Sequence, residues 1–139
     1  MSEEPSTPIR ALVIDDSEEI RDVIRLAFDR TADFEVVAEA SSGETGVAAA
    51  ATHHPGLVLL DIAMPDMDGL QALPLIRSSC PDSTVVMLSG FSEQDAALIA
   101  IENGAHGFIR KGVSVPDLLD QLRDIVELRR QRRDRAHDR

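Results

Sequence analysis

LVLLD, residues 57–61, runs apolar to its last residue, an aspartate, and MPDMDG follows at 64–69 as a stretch of turn formers. A short run that is apolar on both faces suits a strand buried in a parallel sheet. Pro, Asp and Gly supply the turn that must come after it. The same pattern recurs on either side. ALVIDD at 11–16 stops on two aspartates, EVVA at 35–38 is short and β-branched, TVVMLSG at 84–90 ends in Ser-Gly, and GFIRK at 107–111 ends in the only lysine of the chain. Between these runs the spacing turns helical. Ser17 is a natural N-cap for a helix carrying Ile20, Val23, Ile24, Ala27 and Phe28 on one side. An alanine-rich stretch from Gly43 to Thr52 is halted by His53, His54, Pro55 and Gly56. Leu70, Leu73 and Ile76 mark a third helix with Pro74 near its start. Ser92 is expected to cap a fourth, with Ala96, Ile99 and Ala100 inward and Gly104 closing it. Pro116 suits the first turn of a last helix whose stripe is Leu118, Leu119, Leu122, Ile125, Val126 and Leu128.

Five β-then-α units in a row imply an α/β fold: a parallel, doubly wound sheet with helices on both faces and right-handed crossovers. In such a sheet ligands bind beyond the carboxyl ends of the strands. The residues standing there are Asp15, Asp16, Asp61, Ser89 and Lys111. Three carboxylates, one hydroxyl and one ammonium should therefore meet on a single rim.

Composition narrows the function. At 139 residues the chain is one domain, and 43% hydrophobic with 28% charged residues is an ordinary globular balance. No apolar run is long enough to span a membrane. The acidic start MSEEPSTP has no apolar core and reads as a flexible leader over residues 1–8, so a cytoplasmic location is expected. Cys80 is the one cysteine, which leaves no internal disulfide. Net charge is −11, but six Arg and two Asp make residues 129–139 a basic extension of +4, so the rest carries −15. An acidic body without Trp or Tyr argues against direct nucleic-acid binding.

Clustered carboxylates that repel one another suit a hard divalent cation, and Mg²⁺ takes one or two carboxylates together with phosphate oxygens. A carboxylate also serves as a nucleophile toward a phosphoryl group, with cations and a hydroxyl to stabilise the transferring charge. Plainer readings exist for each residue. Asp15-Asp16 could be an acidic strand end, Ser89 a turn residue beside Gly90, and Phe108 a core aromatic. Asp66-Met67-Asp68-Gly69 fails as a calcium loop, because counting from Gly69 puts Met64 and Leu75 where carboxylates are needed. His53 and His54 are adjacent and do not share a helical face.

Residues 9–128 resemble a response-regulator receiver domain of two-component signalling, through Asp15-Asp16, LVLLD, Ser89 and Lys111 in that order and strand context. The resemblance implies a flavodoxin-like (βα)5 fold with strand order 2-1-3-4-5. It implies that Asp61 is the phospho-acceptor and that Mg²⁺ is held by Asp15, Asp16, Asp61 and the backbone carbonyl of Ala63. Ser89 and Phe108 match the switch pair, and Lys111 the rim lysine. Ala63 and Phe91 match the positions flanking the hydrolytic water; neither can orient water, so slow self-dephosphorylation is expected. A receiver of this kind is a signalling domain rather than an enzyme. It takes its phosphoryl group from a sensor histidine kinase or phosphotransfer protein and presents its helix 4/strand 5/helix 5 surface to a downstream output protein or domain. A homodimer is a further possibility, through the basic extension meeting an acidic surface of a second copy. Many members have Pro after the lysine; here Gly112 follows, and a trans Lys111–Gly112 bond is expected. Two other functions compete. A haloacid-dehalogenase-like phosphatase would need a second aspartate where Ala63 stands. A pseudo-receiver would bind protein without taking phosphate. Whether the chain is free-standing or part of a longer regulator is open at this level.

Overall fold

Strands form where the sequence is apolar on both faces, and helices cover both faces of the sheet those strands make. In the computed structural model, which describes residues 7–137, the elements are β1 Ile9–Ile14, α1 Glu18–Phe28, β2 Phe34–Ala40, α2 Gly43–His53, β3 Leu57–Asp61, α3 Gly69–Ser79, β4 Thr84–Ser89, α4 Gln94–Glu102, β5 Gly107–Arg110 and α5 Val115–His137. All strand pairs are parallel and the order is β2-β1-β3-β4-β5, the flavodoxin-like order expected.

Alternation along the strands divides the core into two layers. Leu12, Ile14, Val58, Leu60, Val85 and Met87 face one way, against Ala50 of α2, Leu73 and Ile76 of α3, and Ala97 and Ala100 of α4. Ala11, Val13, Leu57, Leu59, Val86, Leu88 and Ile109 face the other, against Ile24 and Phe28 of α1 and Leu118, Leu119 and Leu122 of α5. β3 sits in the middle of the sheet and every one of its residues is buried, Asp61 included. A carboxylate is thus carried to the rim on the central, fully buried strand of the sheet.

Short polar signals start and stop the helices. Ser17 Oγ accepts from the Ile20 amide at 3.4 Å, and Ser42 Oγ from the Thr45 amide at 3.1 Å. Asp68 and Gln71 form a reciprocal capping box that launches α3. Gly104, at φ 110°, closes α4 as expected.

Four details differ from the sequence reading. Ser92 does not cap α4: a 3₁₀ turn, Phe91–Glu93, precedes the helix, and the longer Glu93 side chain takes the free Gly90 amide at 3.0 Å. Pro74 lies in the middle of α3 rather than near its start, because the Asp68 cap begins the helix at Gly69. Three apolar residues expected to face inward are turned outward: Val23 of α1 and Ile99 of α4 are each 46% exposed, the inward place in α4 going to Ala97, and Leu128, 45% exposed, stands about 120° round α5 from buried Leu122 at 100° per residue. β1 and β2 extend past their apolar runs to include Arg10 and Glu39, polar residues held by partners on neighbouring elements. The Lys111–Gly112 bond is trans, as expected. Residues 1–6 of the leader lie outside the described residues. The described part of the basic extension, to His137, is a continuation of α5. No helix among the described residues is long and apolar enough to cross a membrane.

Gly69 ties the loop after β3 back to the strand end, its amide donating to the Ile62 carbonyl at 2.8 Å. A Cβ there would fall on the carbonyl oxygen of Asp61 and the Cα of Ile62. Gly112 needs glycine for another reason: it has φ 93° but open space around it. Urea unfolding should therefore show Gly69→Ala losing more than about 2 kcal/mol, and Gly112→Ala only about 1 kcal/mol. An equal or smaller loss at Gly69 would contradict the close seat of this loop on the strand end.

Candidate functional site

The carboxyl ends of β1, β3 and β5 deliver charged residues to one place. Asp15 follows β1 directly; its amide donates to the Ala40 carbonyl at 3.0 Å, and its Oδ1 accepts from the Ser17 amide at 2.8 Å. The Arg21 guanidinium donates to the Asp15 carbonyl at 2.6 Å and pins the same turn from α1. Asp16 is exposed beside it. Asp61 ends β3, paired in register with Leu88 of β4, and is completely buried. Its Oδ1 accepts from the Ala63 amide at 3.3 Å and from Lys111 Nζ at 2.8 Å. Lys111 is held by β4, its amide donating to the Ser89 carbonyl at 2.8 Å. Its ammonium also lies 3.0 Å from Asp15 Oδ2, so one cation bridges two buried carboxylates.

One ammonium does not complete the site. Oxygens of Asp15, Asp16 and Asp61 lie within 4.8 Å of one another, the only such cluster among the described residues. Asp61 Oδ2 is buried with no hydrogen-bond partner there, and Asp15 Oδ2 touches Lys111 without hydrogen-bond alignment. A buried carboxylate oxygen without a donor is costly, and one positive charge cannot balance three negative ones. The donor set is all oxygen and anionic, which fits a hard divalent cation such as Mg²⁺.

The electrostatics carry the same imprint. Burial pushes Asp61 up to about 7; the Lys111 hydrogen bond opposes this, while the charge of Asp15 and contact with Asp16 add to it. Burial pulls Lys111 down, but its hydrogen bond to Asp61 and its ion-pair contact with Asp15 outweigh burial and leave it above its ordinary value.

The remaining expected residues are close in the fold. Ser89 ends β4 one residue beyond the partner of Asp61 and is buried. Phe108 of β5 pairs with Met87 and is 39% exposed, so it is not a core aromatic. Phe91 is 81% exposed, with the Arg110 guanidinium 5.3 Å from its ring centroid. Cys80 is buried and donates to the Ala50 carbonyl at 3.2 Å, which leaves it no part in the site. Asp66 and Asp68 belong to the turn before α3, where Asp68 caps the helix. Three contributors went unread in the sequence: Arg21, the Ala63 amide and Glu93. Only Glu93 left a signal, a carboxylate three residues after a loop glycine, which is capping-box spacing.

The raised Asp61 value gives a signed prediction. The folded state holds the Asp61 proton more tightly than the unfolded chain, so stability falls as pH rises from about 4 to about 7 and stays reduced above. Without metal, Asp61→Asn should be more stable than the parent by about 1–2 kcal/mol at pH 8, the relief being partly offset by a weaker bond to Lys111. That advantage should vanish below about pH 4. Adding Mg²⁺ at pH 8 should raise the melting temperature of the parent alone. Equal Mg²⁺ effects on both proteins would contradict the cluster as a cation site.

The sequence pattern of the family described as "Response regulator receiver domain" matches residues 11–123. The chain is 35% identical over 119 residues to the response regulator protein VraR of Staphylococcus epidermidis, covering 86% of this chain and 57% of the relative. It is 36% identical over 115 residues to VraR of Staphylococcus aureus, covering 83% and 55%. It thus spans little more than half the length of these curated relatives. Among solved structures, the REC domain of AraT from Geobacillus stearothermophilus superposes with a TM-score of 0.80 at 28% identity, over 90% of this chain and 98% of that one. The response regulator domain of Thermotoga maritima CheB gives 0.75 at 34% identity, over 86% and 97%. This chain belongs to the response regulator receiver domain family of two-component signalling systems.

Proposed function

We propose that Asp61 accepts a phosphoryl group and that this event switches the face built from α4, β5 and α5. One observation carries the reading: a completely buried carboxylate, at the end of the central strand, keeps one oxygen without a donor while the only lysine of the chain holds the other. An acceptor must be rigidly aimed, and this one is fixed by its strand, by the Ala63 amide and by Lys111.

The donor is a phosphohistidine on a sensor histidine kinase or phosphotransfer protein. A carboxylate oxygen of Asp61 forms the new O–P bond in line as the N–P bond of the donor breaks, and the leaving imidazole takes a proton from water. Asp15, Asp16, Asp61 and the Ala63 carbonyl would hold Mg²⁺, which when bound supplies charge neutralisation for the transferring oxygens. Lys111 contributes the same from the protein, moving from carboxylate to phosphoryl oxygen. Ser89 then donates its hydroxyl to the acyl phosphate. Its shift opens space behind it, and Phe108, half-exposed in the unmodified form, turns inward. Phosphorylation thereby favours one of two surface states through contacts only the phosphoryl group makes. The switching unit is residues 9–128, with the basic extension appended, and the proposal carries a cytoplasmic setting with it. A downstream output protein or domain reads the switched face.

Intact-protein mass after incubation with a cognate kinase, ATP and Mg²⁺ tests this. The expected result is one added phosphoryl group, absent with chelator and absent from Asp61→Asn. The adduct should decay slowly, and replacing Ala63 with Asn together with Phe91 with Glu should speed decay several-fold. No adduct with the kinase would overturn the reading in favour of a protein-binding pseudo-receiver.

A further inference from the structure

The end of the sheet opposite the carboxylates gathers positive charge. Arg77 of α3 and Arg129 of α5 both donate to the carbonyl oxygen of Pro81, at 2.9 and 3.1 Å, so their nitrogens lie no more than about 6 Å apart. Arg133, one helical turn on, reaches Asp82 at 3.4 Å. Arg77 has a sufficient local reason: it sits in the last turn of α3, where unpaired carbonyls concentrate negative charge. Arg129 has no such reason. It comes from α5, it is half-buried, and its Nε is fully buried with no acceptor among the described residues. Burial, then Arg77 and Arg133, pull it below its ordinary value.

His106 stands in the same field. Its Nδ1 accepts from the Val85 amide at 2.9 Å, which puts its proton on Nε2. Burial, then Arg129, Arg77 and Arg132, hold it neutral with a pKa of about 4. Like charges are thus kept together in a chain whose net charge is −11. Among the described residues the one carboxylate in an ion pair with Arg77, Arg129 or Arg133 is Asp82, which is 87% exposed and reaches Arg133. Beside it a groove of about 460 Å³ opens at the amino ends of β1, β3 and β4, with Arg129, Arg130 and Arg133 on its wall together with Asp82 and Asp134, and with Arg130 paired to Glu127 at 3.5 Å.

We propose that this end of the domain binds a phosphate-class oxyanion at Arg129, with Arg77 and Arg133 to either side. A guanidinium offers paired N–H groups that match two oxygens of such an anion. Occupancy offsets the repulsion among the guanidinium groups. The site is separate from the Asp61 rim and does not depend on the acceptor chemistry.

The test is an amide NMR titration with inorganic phosphate in EDTA, at constant ionic strength with chloride as the exchanged anion. Saturable shifts at Asp82, His106 and Arg129 are expected. Arg129→Gln and Arg77→Gln should each weaken binding about tenfold, the loss of one charged hydrogen bond. A phosphoserine peptide run alongside identifies the source: tighter binding than phosphate marks a protein-borne group, weaker or equal binding a free ion. Shifts that match chloride, shifts centred on Ser89 and Lys111, or unchanged affinity in Arg129→Gln would overturn the proposal.

Discussion

Lys111 holding two buried carboxylates is the interaction on which the rim depends. Its ammonium lies 2.8 Å from Asp61 and 3.0 Å from Asp15, and both acids are fully buried. Removing either carboxylate from water without a partner costs several kcal/mol. The ion pairs offset part of that cost and leave the remainder as an appetite for more positive charge. The core elsewhere is apolar and tightly closed on both faces of the sheet. A domain with that much buried apolar surface tolerates one electrostatically unfinished site at its edge.

The same geometry links the site to the surface. β4 and β5 pair Ser89 with Arg110 and Met87 with Phe108, so the hydroxyl that would meet a phosphoryl group and the aromatic that would answer it sit on adjacent strands. Lys111 extends from the end of β5 and hangs from the Ser89 carbonyl. Under the proposed function, a change at Asp61 would reach β4 and β5 together. The Glu93 bond to the Gly90 amide shapes the backbone between Ser89 and α4, the segment that such a change would have to move.

Much of this was legible in the residues. Buried parallel strands announce themselves because both faces are apolar, and LVLLD was read to its last residue. The rule that ligands gather at strand carboxyl ends then brought Asp15, Asp16, Asp61, Ser89 and Lys111 together, as the geometry has them. The strand order came from resemblance, since alternation alone does not choose among parallel orders. What escaped was set by reach and angle rather than residue type. Ser92 has the chemistry of a cap, but Glu93 has the longer arm and the free amide in range. Leu128 is apolar, yet helical geometry turns it away from the sheet. Arg21 contributes through a carbonyl that the sequence does not mark.

Under the proposed function, occupancy of Asp61 by a phosphoryl group repacks the Ser89–Phe108 face. Amide and aromatic NMR of the protein with Mg²⁺ and the phosphoryl mimic beryllofluoride addresses it most directly. Large shifts are expected at Ser89, Gly90, Phe108 and Lys111, with burial of the Phe108 ring, and none of these in Asp61→Asn. Shifts confined to Asp15, Asp16 and Asp61, with Phe108 still exposed, would contradict it.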